Sequence, residues 1–342
     1  MLNSRIVFRA DGNSNIGLGH VSRCLALYDI LKKSYKEVIF AIRNSDLKIT
    51  QTVNSQCTVY LIPDSLSQEE ELDILCKKLL REDDHLVLDG YHFKTEYQKV
   101  VKQNVSKLIV VDDEANWHIV GDLVINHGGS TLKKKYSIEP YTKLLLGLSF
   151  CLIRKEFLEA ACDKLMQKKE SSLLICMGGS DTPNNSLKLL KSVAKLNIFN
   201  SITIITGSAY LHSLSLNHFI EQNAEKDISH LRNLNPEQLV SIIKNTEVCI
   251  ASASTISLEI ASVHAGLIIG ISASNQIALH DTLIESGCAV SLNNINNLSE
   301  DQIAILIRKF ISQDTVNEIL KNQRVHFDGK SAERIIHAIN SL

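Results

Sequence analysis

Short apolar runs alternate with amphipathic segments along most of the chain. In the first half the apolar runs lie at 6–8, 38–42, 59–62, 86–88, 108–111 and 123–125. Segments with helical periodicity lie between most of these runs, for example at 21–31, 68–80 and 93–103. Strands inside a parallel sheet are apolar throughout, whereas the helices that cover them are amphipathic. The pattern therefore predicts an α/β fold, with helices on both faces of a doubly wound parallel sheet.

The same alternation starts again in the second half. After a short strand at 143–147, the polar segment 154–169 predicts a connecting helix that ends in a charged run. Apolar runs follow at 173–177, 202–205, 228–231, 248–251, 267–271 and 289–291, with helices predicted at 184–196, 236–244 and 255–263. A chain of 342 residues is long for one core. We therefore predict two Rossmann-like domains that face a cleft, at 1–155 and 156–342.

Composition and charge exclude several classes of function. The formal net charge of −2 gives no reason to expect binding to nucleic acid or to an anionic membrane. No apolar run approaches the roughly 20 residues that span a bilayer, and the first residues lead directly into a strand, so we expect no signal peptide. The eight cysteines form no C-x-x-C pair. They predict reduced, buried thiols in a cytosolic protein and no zinc site.

The loop after the first predicted strand is rich in glycine and ends at a histidine. It contains Gly17 and Gly19, and His20 follows where a helix is predicted to begin. It has neither the P-loop pattern nor the third glycine of a dinucleotide fingerprint. Ligands of open α/β sheets bind at this edge, where a histidine at a helix start can act as a general base. His20 could instead only order the loop, but the glycines favour close approach of a ligand.

Further polar clusters follow other predicted strands of the first domain. Asp89, Tyr91 and His92 come directly after one strand, although Asp89 could simply cap the next helix. Asp112-Asp113 and Asn126-His127-Gly-Gly129 follow two more strands. Because the carboxyl ends of parallel strands meet at one edge, we expect these residues on the same rim.

The second domain carries two clusters suited to a phosphate or a ribose. Gly178 and Gly179 follow its first strand, and Ser254 and Thr255 open a later helix. Backbone N–H groups at such positions bind phosphate. Glu259 lies about one turn after Thr255, where its carboxylate could accept from ribose hydroxyls. The alternatives are a tight turn for the first cluster and an ordinary helix cap with an exposed Glu259 for the second.

Together these segments resemble a known family. The chain resembles the GT-B superfamily of nucleotide-sugar enzymes, which includes MurG-type transferases, and more closely the UDP-2,4-diacetamido-2,4,6-trideoxy-β-L-altropyranose hydrolases of pseudaminic acid biosynthesis. The segments that carry the resemblance occur in order over nearly the whole chain: Arg9-Ala-Asp, Ile16-Gly-Leu-Gly-His-Val-Ser-Arg23, Asp89-Gly-Tyr91, Val111-Asp-Asp113, Leu145-Leu-Gly147, Leu152-Ile-Arg-Lys-Glu-Phe157, Met177-Gly-Gly-Ser-Asp181, Ser252-Ala-Ser-Thr255, Asn275-Gln276 and Asp328-Gly-Lys330.

The resemblance implies a reaction and a set of site residues. It implies hydrolysis of a UDP-sugar by water, without a metal or cofactor, in a monomer that binds neither nucleic acid nor membrane. The catalytic histidine of the family corresponds to His20 and its cleft tyrosine to Tyr91. The expected substrate-binding residues are Asp11, Gly17 and Gly19 near the sugar, Gly178, Gly179, Ser254, Thr255 and Glu259 around UDP, and Asn275 and Gln276 near the sugar and the phosphates.

Three other functions remain open at this point. A GT-B glycosyltransferase would use the same UDP site and the same base on an acceptor hydroxyl. A UDP-sugar 2-epimerase and a non-catalytic nucleotide-sugar binding module are further alternatives. Release of UDP from a UDP-sugar in the absence of any acceptor would separate the hydrolase from the transferase and the binding module.

Overall fold

In a computed structural model of the chain, tertiary contacts divide the protein into two units. The first comprises Met1–Lys155 and Ser331–Leu342, and the second comprises Glu156–Lys330. The structure describes residues 2–12, 19–43, 47–129, 131–163 and 169–342.

Within its described residues, the first unit contains a seven-stranded parallel sheet and a small two-stranded sheet, with the strands β1 (Leu2–Ala10), β2 (Tyr35–Arg43), β3 (Thr58–Ile62), β4 (His85–Asp89), β5 (Lys107–Val111), β6 (His118–Ile119), β7 (Leu123–Asn126), β8 (Ser137–Ile138) and β9 (Lys143–Leu146). Its helices up to residue 155 are α1 (Gly19–Leu31), α2 (Leu47–Asn54), α3 (Gln68–Ile74) and α4 (Thr95–Lys102). A π-helical turn at Leu75–Leu79 extends α3. The large sheet has the order β3-β2-β1-β4-β5-β7-β9, and β6 pairs with β8.

The second unit repeats this plan. Residues 169–330 contribute the strands β10 (Lys169–Cys176), β11 (Ser201–Thr206), β12 (Ile228–Arg232), β13 (Thr246–Ser252), β14 (Gly266–Ile271) and β15 (Val290–Asn294). They form one parallel sheet in the order β12-β11-β10-β13-β14-β15. The helices that follow α4 along the chain are α5 (Lys155–Ala161), α6 (Asn185–Ala194), α7 (Ser213–Glu221), α8 (Pro236–Lys244), α9 (Thr255–Ser262), α10 (Ile277–Glu285), α11 (Glu300–Phe310) and α12 (Gln313–His326). The last helix of the chain is α13 (Ser331–Asn340).

Both sheets confirm the predicted doubly wound α/β architecture. Along β1, Ile6 and Phe8 pack into one core and Val7 into the core on the opposite face, since successive side chains of a strand point to opposite sides. This is why the run Ile6-Val7-Phe8 is apolar at every position. In both units the strand order reverses beside the first strand, between β1 and β4 and between β10 and β13. Open α/β sheets bind ligands at this place.

Two features differ from the sequence-based expectation. The predicted helix at 154–169 is wrong at its end: α5 stops at Ala161, and Lys169 is already the first residue of β10, where it pairs with Thr246. Pairing with the neighbouring strand overrides the polar, helix-like character of that segment. The sequence predicts that the last twelve residues belong to the second domain, but α13 belongs to the first unit, where Ile335 and Ile339 are buried in the core.

Candidate active site

His20 lies at the point of the first sheet where the strand order reverses. It is the second residue of α1 and is buried. The register of β1 and β4 pairs Ala10 with Asp89, so the ends of these strands lie side by side. Nδ1 of His20 is 2.7 Å from Oδ1 of Asp89. The parallel pairing therefore provides His20 with a buried carboxylate from a strand 69 residues further along the chain.

Arg23 holds the same carboxylate from one turn further along α1. Its Nε donates to Oδ2 of Asp89 at 2.5 Å, and its Nη2 donates to Oδ1 at 2.6 Å. Its Nη1 donates to Oδ2 of Asp113 at 2.7 Å. Burial alone would raise the pKa of Asp89, but the charge and hydrogen bonds of Arg23 outweigh it and lower the pKa to about 2. Asp89 is therefore a carboxylate at neutral pH.

The contacts of His20 favour one arrangement of its ring protons. Nδ1 faces the Asp89 carboxylate at 2.7 Å and Nη2 of Arg23 at 3.0 Å. A carboxylate only accepts and a guanidinium only donates, so the shorter contact favours a proton on Nδ1 that is donated to Asp89. In a neutral ring this leaves the lone pair on Nε2, and no described residue hydrogen-bonds that atom. His20 can then take up a proton at Nε2.

Tyr91 packs directly on His20. The two rings meet edge to face, with centroids 4.7 Å apart and an interplanar angle of 80°. The Tyr91 hydroxyl donates to Oδ2 of Asp113 at 3.2 Å, and the side chain is partly exposed. The structure thus brings the two predicted catalytic residues together.

An open pocket of about 320 Å³ lies beside His20 in the first unit. Its walls combine the histidine with a carboxylate, a tyrosine and two basic side chains, from Asp11, His20, Gly90, Tyr91, His92 and Lys94. Gly19 precedes His20 and is exposed, with no atom near the place where a Cβ would lie. The predicted site residue Gly17 lies outside the described residues. A pocket of this size can hold a small-molecule ligand.

Asp11 is held in the pocket wall by buried arginine. Arg9 donates to both carboxylate oxygens, at 2.6 and 2.7 Å, and the backbone N–H of Arg43 donates to Oδ1 at 2.9 Å. Arg9 also donates to a second carboxylate, that of Glu71, which is buried and accepts a further hydrogen bond from the Tyr97 hydroxyl. Burial opposes ionisation of Asp11, but contacts with His92 and Arg9 outweigh it and hold its pKa well below the usual range.

In the second unit, the predicted glycines follow β10. Gly178 has a φ of 93°, which favours glycine, and Gly179 is exposed. A Cβ on Gly179 would meet no atom within 4 Å, whereas a Cβ on Gly207 would lie 2.6 Å from the Gly179 carbonyl oxygen. The backbone at Gly179 is therefore packed against Gly207 on one side and open on the side where a side chain at position 179 would lie.

Ser254 and Thr255 lie at the start of α9. The register pairs Cys176 with Ala251, so this start lies at the same sheet edge as the end of β10. Ser254 precedes the first helical residue and shares a 2.8 Å hydrogen bond between hydroxyls with Ser252. Such a helix start can bind an anion. Glu259 is buried, with 4% of its surface exposed, whereas the alternative of an ordinary helix cap predicts an exposed glutamate.

Asn275 and Gln276 lie in a short 3₁₀ turn before α10. Oε1 of Gln276 accepts from the backbone N–H of Ser272 at 2.8 Å and from its hydroxyl at 3.2 Å. Asn275 is exposed. The predicted site residues of the second unit thus follow β10, β13 and β14, three neighbouring strands of one sheet.

The predicted catalytic pair omitted Arg23 and Lys94. Arg23 is three residues after His20 on one helix, a spacing that puts both on the same face, so the sequence did contain a signal for it. Lys94 carries no such signal, because its place in the pocket depends on the path of the loop after β4. In the part of the chain that the structure describes, no group of three His, Cys, Asp or Glu side chains is arranged to hold a metal ion. No helix among those residues is long and apolar enough to cross a membrane.

Several known proteins are similar to this chain. No family model matches the chain. It is 28% identical, over 74% of its length and 86% of the relative's, to the UDP-2,4-diacetamido-2,4,6-trideoxy-beta-L-altropyranose hydrolase of Campylobacter jejuni. It is 21% identical to the spore coat polysaccharide biosynthesis protein SpsG of Bacillus subtilis, over 97% of both chains.

The solved structures show the fold. MurG of Acinetobacter baumannii superposes with a TM-score of 0.69 over 99% of this chain and 100% of that chain, at 13% identity. The predicted resemblances to the UDP-2,4-diacetamido-2,4,6-trideoxy-β-L-altropyranose hydrolases and to MurG-type proteins are thereby confirmed. The chain has the GT-B fold and resembles the UDP-diacetamido-trideoxy-altropyranose hydrolases.

Proposed function

We propose that this protein processes UDP-sugars and, more specifically, hydrolyses a UDP-linked 2,4-diacetamido-2,4,6-trideoxy sugar to UDP and the free sugar. The observation that carries the proposal is the contact between His20 and the buried Asp89 carboxylate beside an open pocket. The name of the Campylobacter relative supplies the substrate and the reaction. We further propose that the free sugar feeds pseudaminic acid biosynthesis, as the resemblance to this hydrolase family implies.

His20 serves as the general base. Its Nε2 removes a proton from water as the water oxygen bonds to the anomeric carbon, while the bond from that carbon to the phosphate oxygen breaks. UDP leaves with the bonding electron pair, and the proton passes from His20 to solvent. Asp89 orients the ring and stabilises the positive charge that develops on it. Because water attacks opposite to UDP, the anomeric configuration inverts.

Tyr91 and Asp11 support the sugar side of this reaction. Tyr91 packs against His20 and keeps its ring in place. Asp11, Gly17 and Gly19 are assigned to the sugar end of the substrate. General-base assistance by His20 contributes a factor of about 10²–10⁴ to the rate.

We assign UDP to the second unit. Gly178 and Gly179 allow phosphate to approach the backbone, and the start of α9 at Ser254 and Thr255 offers N–H and hydroxyl donors. These donors stabilise the charge of the leaving diphosphate. Glu259 is assigned to the ribose, and Asn275 and Gln276 to the region between the sugar and the phosphates.

The second candidate function is glycosyl transfer. The likeness to MurG favours it, because the same base could activate an acceptor hydroxyl instead of water. One experiment separates the two functions. The protein is incubated with the UDP-diacetamido sugar without any acceptor, UDP release is followed by a coupled assay, and the sugar is followed by NMR.

Hydrolysis gives equal amounts of UDP and free sugar, with the inverted anomer formed first. His20→Ala should lose most of this activity and still bind UDP. If UDP appears only when an acceptor is added, the protein is a transferase. Loss of UDP binding with an unchanged rate constant in His20→Ala would contradict the role given to His20.

A further inference from the structure

The Asp11 carboxylate in the pocket wall already has four donors around its two oxygens. Arg9 and the backbone N–H of Arg43 contact Oδ1 at 2.6 and 2.9 Å. Arg9 also contacts Oδ2 at 2.7 Å, and Nε2 of His92 lies 3.3 Å from that oxygen. A carboxylate offers about four lone-pair positions. Asp11 therefore has no position left for a sugar hydroxyl and acts on the ligand through His92.

His92 is fixed on the pocket wall by three neighbours. Its Nε2 faces Asp11, and its ring packs on Phe93 with ring centroids 3.9 Å apart. The ring also lies over Gly90, because a Cβ added to Gly90 would lie 3.0 Å from Cε1 of His92. A ring that donates from Nε2 to a carboxylate keeps, when neutral, a lone pair on Nδ1. None of the contacts among the described residues uses Nδ1 of His92. The side chain is 43% exposed and lines the pocket.

Lys94 supplies a donor on the same wall. It lines the pocket together with His92, two residues away. Its Nζ lies 4.3 Å from the centroid of the Trp117 ring, a cation–π contact that holds the ammonium in place. An ammonium has three N–H donors, and the ring face does not use all of them. The wall therefore carries one acceptor and one donor, on residues two positions apart in the chain.

We propose that His92 and Lys94 form a recognition site for an acetamido group of the sugar. A secondary amide carries one N–H donor and one carbonyl acceptor. The amide N–H donates to Nδ1 of His92, and the carbonyl accepts from Nζ of Lys94. Asp11 is a positioning residue that fixes the His92 ring. This inference rests on the proposed function for the identity of the ligand, and it makes these two side chains determinants of sugar specificity.

The test compares two substitutions that keep different parts of the imidazole. His92→Gln retains an amide near the position of Nε2, and with it the contact to Asp11, but loses the acceptor at Nδ1. His92→Asn brings an amide oxygen near the position of Nδ1. Lys94→Met removes the donor. Lys99→Met is the matched control, since Lys99 is an exposed lysine of α4 that contacts only Glu96 in the described contacts.

Affinities for UDP and for UDP-2,4-diacetamido-2,4,6-trideoxy-β-L-altropyranose are measured by calorimetry, with His20→Ala in every protein to prevent turnover. His92→Gln and Lys94→Met should each weaken binding of the UDP-sugar roughly three- to tenfold, the effect of one hydrogen bond, and leave UDP unchanged. His92→Asn should lose less than His92→Gln, and Lys99→Met should lose nothing. In chains that retain His20, the same two substitutions should raise KM and spare kcat.

Equal weakening of UDP and UDP-sugar, or unchanged affinities in both His92→Gln and Lys94→Met, would overturn the proposal. A larger loss in His92→Asn than in His92→Gln would also overturn it, because the ring would then act only through Asp11. The proposed function fails separately, if the unmodified chain leaves the UDP-sugar intact without an acceptor. The binding measurements do not depend on that result.

Discussion

Nδ1 of His20 lies 2.7 Å from Oδ1 of Asp89, and Asp89 is fully buried. Two donors from one helix, His20 and Arg23, thus converge on a carboxylate from a neighbouring strand. The carboxylate has two tasks, since it compensates the buried guanidinium and orients the imidazole. These tasks can be separated by mutation.

Asp89→Asn should reduce both activity and stability. Removing one partner of a buried ion pair costs about 3–5 kcal/mol of the free energy of unfolding. The loss of the correct His20 orientation should lower kcat by roughly 10²–10⁴. His20→Ala should match the loss in kcat but destabilise much less, because Arg23 and Asp89 remain paired. Chemical denaturation and initial rates measure the two effects, and near-normal kcat in Asp89→Asn would exclude the orienting role.

The sequence predicts local features of this site and misses the long-range ones. The uniformly apolar run at Ile6-Val7-Phe8 predicted a buried strand, and the glycine-rich loop after it correctly placed His20 at a helix start. The pairing of Arg9 with Glu71 joins residues 62 positions apart. No periodicity contains that information, because such contacts depend on how the helices pack on the sheet.

The end of the chain shows the same limit. The amphipathic pattern of α13 is compatible with packing on either sheet, and proximity in sequence favoured the second. Ile335 and Ile339 instead enter the core of the first unit. The short strand pair β6–β8 was also missed, since two-residue strands have no readable pattern.

His127 should make stability depend on pH above the range of the carboxylates. Burial and the charge of Arg23 lower its pKa from 6.5 to about 4. The unfolded chain therefore binds a proton between these values that the folded chain does not. Stability from this group is complete above about pH 6.5 and falls as the pH decreases towards about 4, by on the order of 3 kcal/mol.

His127→Phe removes that titration and keeps a ring in the site. The difference in unfolding free energy between His127→Phe and the unmodified chain should therefore shift in favour of the variant from about pH 6.5 to about pH 4. His218→Phe, at an exposed position on α7, is the control for replacing a histidine by a phenylalanine. Denaturant unfolding at several pH values measures the difference. A constant difference across this range would exclude a titrating, buried His127.

Ile335→Ala should destabilise the first unit specifically. Ile335 is fully buried in the core that also contains residues of α1. Truncation of a buried isoleucine to alanine costs about 2–5 kcal/mol. Trp117 lies in the first unit, and the sequence contains a single tryptophan, so its fluorescence follows unfolding of that unit. The denaturation midpoint by fluorescence should fall.

The matched control for this experiment is Ile305→Ala. Ile305 lies on α11 of the second unit and is 69% exposed, so its truncation should leave the fluorescence midpoint unchanged. If Ile335→Ala left that midpoint unchanged as well, α13 would contribute no stability to the first unit.

Gly179→Ala should separate ligand binding from folding in the second unit. A Cβ on Gly179 meets no protein atom within 4 Å, so the variant should unfold like the unmodified chain. If UDP phosphates approach this backbone as proposed, the methyl group occupies their space, and affinity for UDP should fall about tenfold, equivalent to about 1.4 kcal/mol. Calorimetric titration with UDP measures this loss.

Gly207→Ala provides the contrasting case. Its Cβ would lie 2.6 Å from the Gly179 carbonyl oxygen and 2.7 Å from the Gly179 Cα, so the turn must shift. This variant should lose both affinity for UDP and stability, whereas Gly179→Ala loses affinity alone. Unaltered UDP affinity in Gly179→Ala would place the diphosphate away from this turn. The added methyl group contacts no protein atom, so only a bound ligand could meet it.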